Sequence, residues 1–367
     1  MANKLNYRLL FNSLISLLIV IGVVLIAQIS MSNPKQFCIE PEPDATGAFG
    51  QNIAVNDKYL VISDSLRNKV ILYTPDDFGQ WQKTREILPP ADLNLRRFNS
   101  AFGRSLELDG DVLTVSARTM NPEWHKKGLS QSQRNEISPS LYWRYLTNLK
   151  TETPLEPIDL LVEPEPESNL VHFNLLRKGK IEQFILPNMG KRVLGSNDVY
   201  KMVALDENLL LAGYFSEDDT GGAYLFDLAR PEAEPIELSV EDTALGGTIA
   251  VSQQFAVVGF DGIYYQFAQG PRARSFMTLI RNIENGATNV IKSFGTVSLS
   301  GNILAVMHPY HYEAPTKFLE VYRLDEDAQA HLIKKQTVYR GEVQNGFLLT
   351  QKIDDYRRVC IESLPKN

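Results

Sequence analysis

The sequence predicts an all-β fold: a closed β-propeller of six four-stranded blades, with seven as the alternative, preceded by one N-terminal transmembrane helix. Three observations predict it. A Phe-Gly or Leu-Gly doublet recurs with its glycine at positions 50, 103, 195, 246 and 295, at spacings of 53, 92, 51 and 49 residues. A period near 50 in strand-rich units marks a propeller or a similar array. Each doublet opens two short apolar runs joined by a tight turn, as inner blade strands require. A long apolar stretch precedes the first doublet.

The first strand of each unit follows the doublet, as in Gln51-Asn52-Ile53-Ala54-Val55 and Thr296-Val297-Ser298-Leu299. The turns after it are Asn56-Asp57-Lys58, Asp109-Gly110, Asp206-Glu207-Asn208, Ser252-Gln253-Gln254 and Ser300-Gly301-Asn302. Most carry Asp, Asn or Gly, which tolerate positive φ and suit hairpins. The second strands are apolar throughout, for example Tyr59-Leu60-Val61-Ile62 and Phe255-Ala256-Val257-Val258. Such runs fit strands buried on both faces. Third strands carry aromatics: Val70-Ile71-Leu72-Tyr73, Ala223-Tyr224-Leu225-Phe226, Ile263-Tyr264-Tyr265-Gln266-Phe267 and Leu319-Glu320-Val321-Tyr322. A more polar fourth strand, such as Trp81 to Leu88, closes the unit. The first blade is therefore expected near 51–56, 59–63, 69–74 and 80–88.

This order of Phe-Gly, strand, turn, strand and aromatic strand resembles the FG-GAP (integrin-alpha-type) propeller repeat, best between Phe49 and Pro90 with its Gly79-Gln80-Trp81 turn. The resemblance covers roughly residues 48 to 340, with a gap in the middle. It implies the propeller fold and carries little information on function. The family's calcium loop, Asp-x-Asp-x-Asp-Gly, is absent from every repeat.

The 92-residue spacing between Gly103 and Gly195 has two readings. In the favoured one, residues 169–174 and 180–187 are the third and fourth strands of the second blade, which then carries an insertion over about 119–168. Its Pro- and Glu-rich flank (Pro154, Glu156, Pro157, and 163–167) reads as extended chain. In the other, a further blade occupies the gap, with Leu141 to Leu146 as one of its strands.

After the fifth unit, Gln344 to Lys352 and Arg357 to Glu362 read as one more hairpin. Phe37-Cys38-Ile39-Glu40 mirrors Val359-Cys360-Ile361-Glu362 at Cys-Ile-Glu, so the N-terminal strand can complete a blade shared by both termini. Cys38 and Cys360 are the only cysteines. A disulfide between them closes a loop that the chain-entropy treatment values at roughly 5 kcal/mol. The alternative is two buried thiols acting as small apolar groups.

Residues 1–35 form a separate unit from the propeller at 36–367. Lys4 and Arg8 precede an apolar stretch from Leu9 to about Met31, long enough for the ~20 residues a bilayer span needs. An uncleaved anchor is favoured over a signal sequence, whose apolar core is shorter and whose cleavage site is poorly matched by Ser30-Met31-Ser32. The positive-inside rule then leaves the N-terminus in the cytoplasm and the propeller on the extracytoplasmic (periplasmic or extracellular) side. Asp and Glu number 44 against 37 Lys and Arg, a net charge of −7, which excludes a nucleic-acid partner that reads a basic face.

Function on such a scaffold falls to the loops between second and third strands, which share one face. Candidate binding residues are Trp124, His125, Trp143 and Arg144 in the insertion, Glu217, Asp218 and Asp219, and His308, His311 and Glu313. Aromatic and Arg side chains are favoured interface anchors. His308, His311 and Glu313 are close enough to suggest a transition metal, but no further ligand accompanies them. The three acidic residues could offer oxygens to calcium but lack the spacing of a calcium loop. No metal or cofactor is therefore assigned, with calcium left open. No Ser-His-Asp set, carboxylate pair or phosphate loop is legible. The leading expectation is a membrane-anchored scaffold that binds protein or glycan. The alternative is a carbohydrate-active hydrolase or lyase with its site at the central channel.

Overall fold

The computed structural model describes residues 36–43, 45, 48–89, 102–120, 140–151, 154–158, 170–177, 180–187, 202–215, 221–240, 247–259, 277–293, 295–308, 317–352 and 358–364. The expected anchor, residues 1–35, lies outside them, and no helix among the described residues is long and apolar enough to cross a membrane. Among the described residues the fold is all-β, with one 3-10 turn at Ser65–Arg67.

Consecutive strands form antiparallel sheets of propeller type. Strand β1 (Gln36–Ile39) comes first among the described strands and joins the last sheet. The first sheet holds β2 (Phe49–Val55), β3 (Leu60–Asp64), β4 (Lys69–Pro75) and β5 (Trp81–Ile87). The second holds β6 (Leu106–Asp109), β7 (Val112–Met120), β8 (Ser140–Asn148) and β9 (Pro154–Ile158). A hairpin sheet follows, β10 (Leu170–Arg177) and β11 (Lys180–Pro187). The fourth sheet holds β12 (Met202–Asp206), β13 (Leu209–Phe215), β14 (Gly221–Asp227) and β15 (Ile236–Ser239). The fifth holds β16 (Thr248–Val251), β17 (Phe255–Gly259), β18 (Thr278–Asn282) and β19 (Thr288–Ile291). The sixth holds β20 (Thr296–Ser300), β21 (Ile303–Met307), β22 (Phe318–Leu324) and β23 (Ala330–Thr337). The last sheet runs β24 (Arg340–Gln344), β25 (Phe347–Gln351), β26 (Val359–Ser363), then β1.

Three expectations are corrected here. Residues 140–158, assigned to an insertion, supply the third and fourth strands of the second sheet, and 170–187 form a sheet of their own. The third strand of the fifth sheet is Thr278–Asn282; the aromatic run 263–267 expected there lies outside the described residues. The C-terminus contributes three strands to the shared sheet, one more than the expected hairpin.

The apolar second strands are explained by where alternate residues go. Leu60 and Ile62 pack toward the last sheet, while Val61 packs toward the second. Phe255 and Val257 face the sixth sheet, and Ala256 and Val258 the fourth. Leu304 and Val306 face the fifth, and Ile303, Ala305 and Met307 the last. A side chain on either face of such a strand is removed from water, at ~1.5–3 kcal/mol for each large aliphatic group. The interfaces run unbroken from the fourth sheet through the fifth, sixth, last and first to the second.

The Phe-Gly doublet serves these same interfaces. Phe49 fills the joint between the last and first sheets, and Phe102 the joint between the first and second. Its glycine lets two sheets approach: a Cβ on Gly50 would meet Gln351 and Val359, and one on Gly103 would meet Ser63. Gly295 is the tightest, with φ +147° and Met307 O only 2.1 Å from where a Cβ would stand. Gly295→Ala is therefore expected to cost about 2–3 kcal/mol. Gly79→Ala, at φ +74° with open space around it, should cost about 1 kcal/mol. Thermal unfolding midpoints of the two variants check the contrast.

Candidate functional site

The array has two distinct ends. At one lie the turns between first and second strands, laced to one another from sheet to sheet. Asn56 Nδ2 donates to Gly110 O at 2.8 Å, and Asn345 Nδ2 to Val55 O at 2.7 Å. Gly346 N donates to Ser300 Oγ at 2.7 Å, and Ser252 Oγ to Gly301 O at 2.9 Å. Gln253 Nε2 reaches Asp206 O at 3.0 Å.

These inner turns surround a recess of about 440 Å³. It is lined from the first sheet by Asn56, Asp57 and Lys58, and from the second by Glu107, Leu108, Asp109 and Gly110. Leu205, Asp206 and Glu207 line it from the fourth sheet, and Asn345 from the last. The turns of the second and fourth sheets, the two ends of the packed series, thus meet at one opening. Its lining is acidic, and its one cation, Lys58, is engaged by Asp111 at 3.0 Å. Burial raises the Asp206 carboxyl above its ordinary range against hydrogen bonds from Gln253, and the Glu207 charge adds to the rise. Glu342, on the face of β24 turned toward the first sheet, behaves alike. Its side chain is 22% exposed, but the surrounding protein pushes its carboxyl up against the pull of Arg340. Such a recess concentrates positive charge.

At the opposite end the chain leaves the second strands. Met120 and Ser140 stand opposite each other there, as do Phe215 and Gly221. His308 N donates to Phe318 O at 2.9 Å at the same end. Trp124, His125, Glu217, Asp218, Asp219, His311 and Glu313 belong to the segments between these points and lie outside the described residues. Trp143 pairs with Ala117 and Arg144 with Ser116 across β7 and β8, so both stand on a blade strand rather than in an insertion.

His308 was expected in a solvent-facing loop. It is 8% exposed and built into a polar cluster of the sixth sheet. Its Nε2 lies 3.0 Å from Ser293 Oγ and 2.9 Å from Glu320 Oε2. Glu320 also accepts from Ser293 Oγ at 2.9 Å, Tyr322 Oη at 2.7 Å and Lys335 Nζ at 2.8 Å. Phe318 stacks on the imidazole at 3.9 Å. Burial opposes the charge on Glu320, but these donors together bring its carboxyl down to about 2. Burial also lowers the His308 pKa against the pull of Glu320. Ser, His and Glu here do not form a nucleophilic relay, because a single ring nitrogen faces both partners and the serine is buried. Among the described residues no group of three potential ligands could hold a metal ion.

No family model and no curated protein matches the sequence. Similar solved structures are propellers. The WD40 β-propeller domain of Doa1 is 10% identical, with 91% of this chain and 98% of that one covered and a TM-score of 0.47. The β-propeller domain of the Trilobed protease from Pyrococcus furiosus, described as having an open velcro topology, is 14% identical. There 67% of this chain and 76% of that one are covered, with a TM-score of 0.37.

The sequence reading missed the inner-turn recess. Its residues were read only as turn formers, yet Asp57, Asp109, Asp206 and Glu207 recur at equivalent turns. That shared acidity was the available signal.

Proposed function

We propose that this chain is a membrane-anchored extracytoplasmic β-propeller of FG-GAP type. In this reading seven blades close the ring, and the protein is an interaction scaffold that binds protein or glycan through the end opposite the inner turns. The observation that carries the binding role is the gathering of the connections between second and third strands at that end. Met120/Ser140, Phe215/Gly221 and the His308–Phe318 pair all open there, and binding surfaces on rigid β scaffolds are built from such connections. The Cys38–Cys360 disulfide supports an oxidising compartment. The acidic recess, with Asp206 raised by burial, favours a second reading: a carbohydrate-active enzyme that uses a carboxylic acid at the channel mouth.

The test replaces residues 122–138 with a short Gly-Ser linker and repeats capture of partners from detergent-solubilised membranes. Capture is expected to fall at least tenfold while the thermal unfolding midpoint stays within about 2 °C. Undiminished capture by a folded variant would place the interaction elsewhere. Glycan hydrolysis abolished by Asp206→Asn would establish the enzyme instead.

A further inference from the structure

The route of the N-terminal strand determines which end of the propeller meets a membrane. β1 runs antiparallel to β26, with Gln36 opposite Glu362 and Ile39 opposite Val359. β26 in turn sets Ser363 opposite Phe347 and Val359 opposite Gln351. Phe347 follows directly on the inner turn at Asn345, which lines the recess. Gln36 therefore enters the fold at the inner-turn end, and Ile39 lies toward the other. The strand is fixed along its length. Cys38 is bonded to Cys360, Arg358 Nε meets Glu40 at 2.8 Å, and Lys69 meets Glu42 at 2.9 Å, with Lys83 on the same carboxylate.

Four residues, 32–35, separate Gln36 from Met31 at the end of the apolar stretch. Fully extended, the five steps from Met31 to Gln36 reach no more than ~18 Å. We infer that the protein stands on its membrane with the inner-turn end toward the lipid headgroups, and that soluble partners meet the opposite end. This rests on the anchored reading proposed above. The tether is too short to admit a folded domain beneath the inner turns, so the surface that covers this end is the bilayer itself. Phe78 fits that placement. It is 90% exposed at the inner-turn end, in a turn that Asp76 Oδ1 holds by accepting from Phe78 N at 2.9 Å and Gln80 N at 2.8 Å. An exposed phenyl ring beside a bilayer can bury into the boundary between headgroups and acyl chains.

The test uses the full chain reconstituted in phosphatidylcholine vesicles whose headgroups carry a nitroxide quencher. One variant, Lys150→Cys, carries a dye on the β8–β9 turn at the inner-turn end. Another, Leu66→Cys, carries it at the opposite end. Quenching at 150 is expected to exceed that at 66 at least threefold, and twenty Gly and Ser residues inserted between 35 and 36 should remove most of the difference. Glu232→Cys, on the β14–β15 turn, repeats the inner-turn measurement should labelling at 150 disturb folding, which an intact native disulfide reports. A chain that fails to float with the vesicles overturns the anchored reading, and the orientation falls with it. A chain that floats but is quenched equally at both ends, or more at 66, overturns the orientation and leaves the anchor standing.

Discussion

The double variant Cys38→Ala/Cys360→Ala is expected to lose about 3–5 kcal/mol of stability and to unfold roughly 5–10 °C lower. The two cysteines stand opposite each other in the register of β1 and β26 and are bonded, with Cα atoms 4.0 Å apart and a sequence separation of 322. A cross-link over so long a loop removes much of the freedom of the unfolded chain, about 5–6 kcal/mol in the entropic treatment. Structure remaining in the unfolded chain brings the measured value down. The loss has a location. β1 is four residues long and, among the described residues, pairs only with β26. Its remaining ties are the packing of Phe37 and Ile39 against the core between the first and last sheets, the pair of Glu42 with the buried Lys69, and an exposed pair at Glu40 that is worth little. Proteolysis of the double variant under native conditions should therefore cut first between residues 36 and 48. A double variant that unfolds with the unaltered protein and resists cleavage there would show that the sheet closes without its covalent link.

That link was legible in the sequence because its evidence is local and repeated: Cys-Ile-Glu at both ends of the chain. The Phe-Gly period was legible for the same reason, and the first sheet lies within a residue or two of its expected strands. Legibility failed where the sequence departs from the repeat. β9, Pro154–Ile158, looked like a linker because it is rich in Pro and Glu. It is the outer strand of its sheet, where a proline's missing N–H costs no ladder bond. The His308 cluster was hidden for a different reason. His308, Glu320, Tyr322 and Lys335 come together through the register of β21, β22 and β23, and Ser293 joins them from the connection after β19. The one warning was Glu320 itself, a lone acid amid Phe318, Leu319, Val321 and Tyr322 in a strand read as an aromatic third strand.

Glu320 also sets the second large effect. Its replacement by Ala is expected to cost about 3–4 kcal/mol, because Ser293 and His308 are buried and would lose the acceptor around which they are arranged. Lys335 is more than half exposed and can return to water, which keeps the cost from rising further. The same carboxylate predicts the response to acid. Its folded pKa of about 2 lies below its ordinary value of 4.5. The unfolded chain therefore binds the extra proton first, and the contribution of Glu320, ~3 kcal/mol, is complete above about pH 5 and lost as pH falls toward 2. His308 acts in the same direction over a higher range. Its folded pKa lies below the ordinary 6.5, so stability declines as pH falls below about 7 and the unfolded imidazole takes up its proton. Glu320→Gln keeps the shape of the side chain and removes its titration. Its denaturant midpoint should be lower than that of the unaltered protein at pH 7, and the gap should narrow by at least half between pH 5 and pH 2.5. A gap that stays constant over that range would mean that Glu320 titrates normally in the folded protein, and that its donors do not hold the charge.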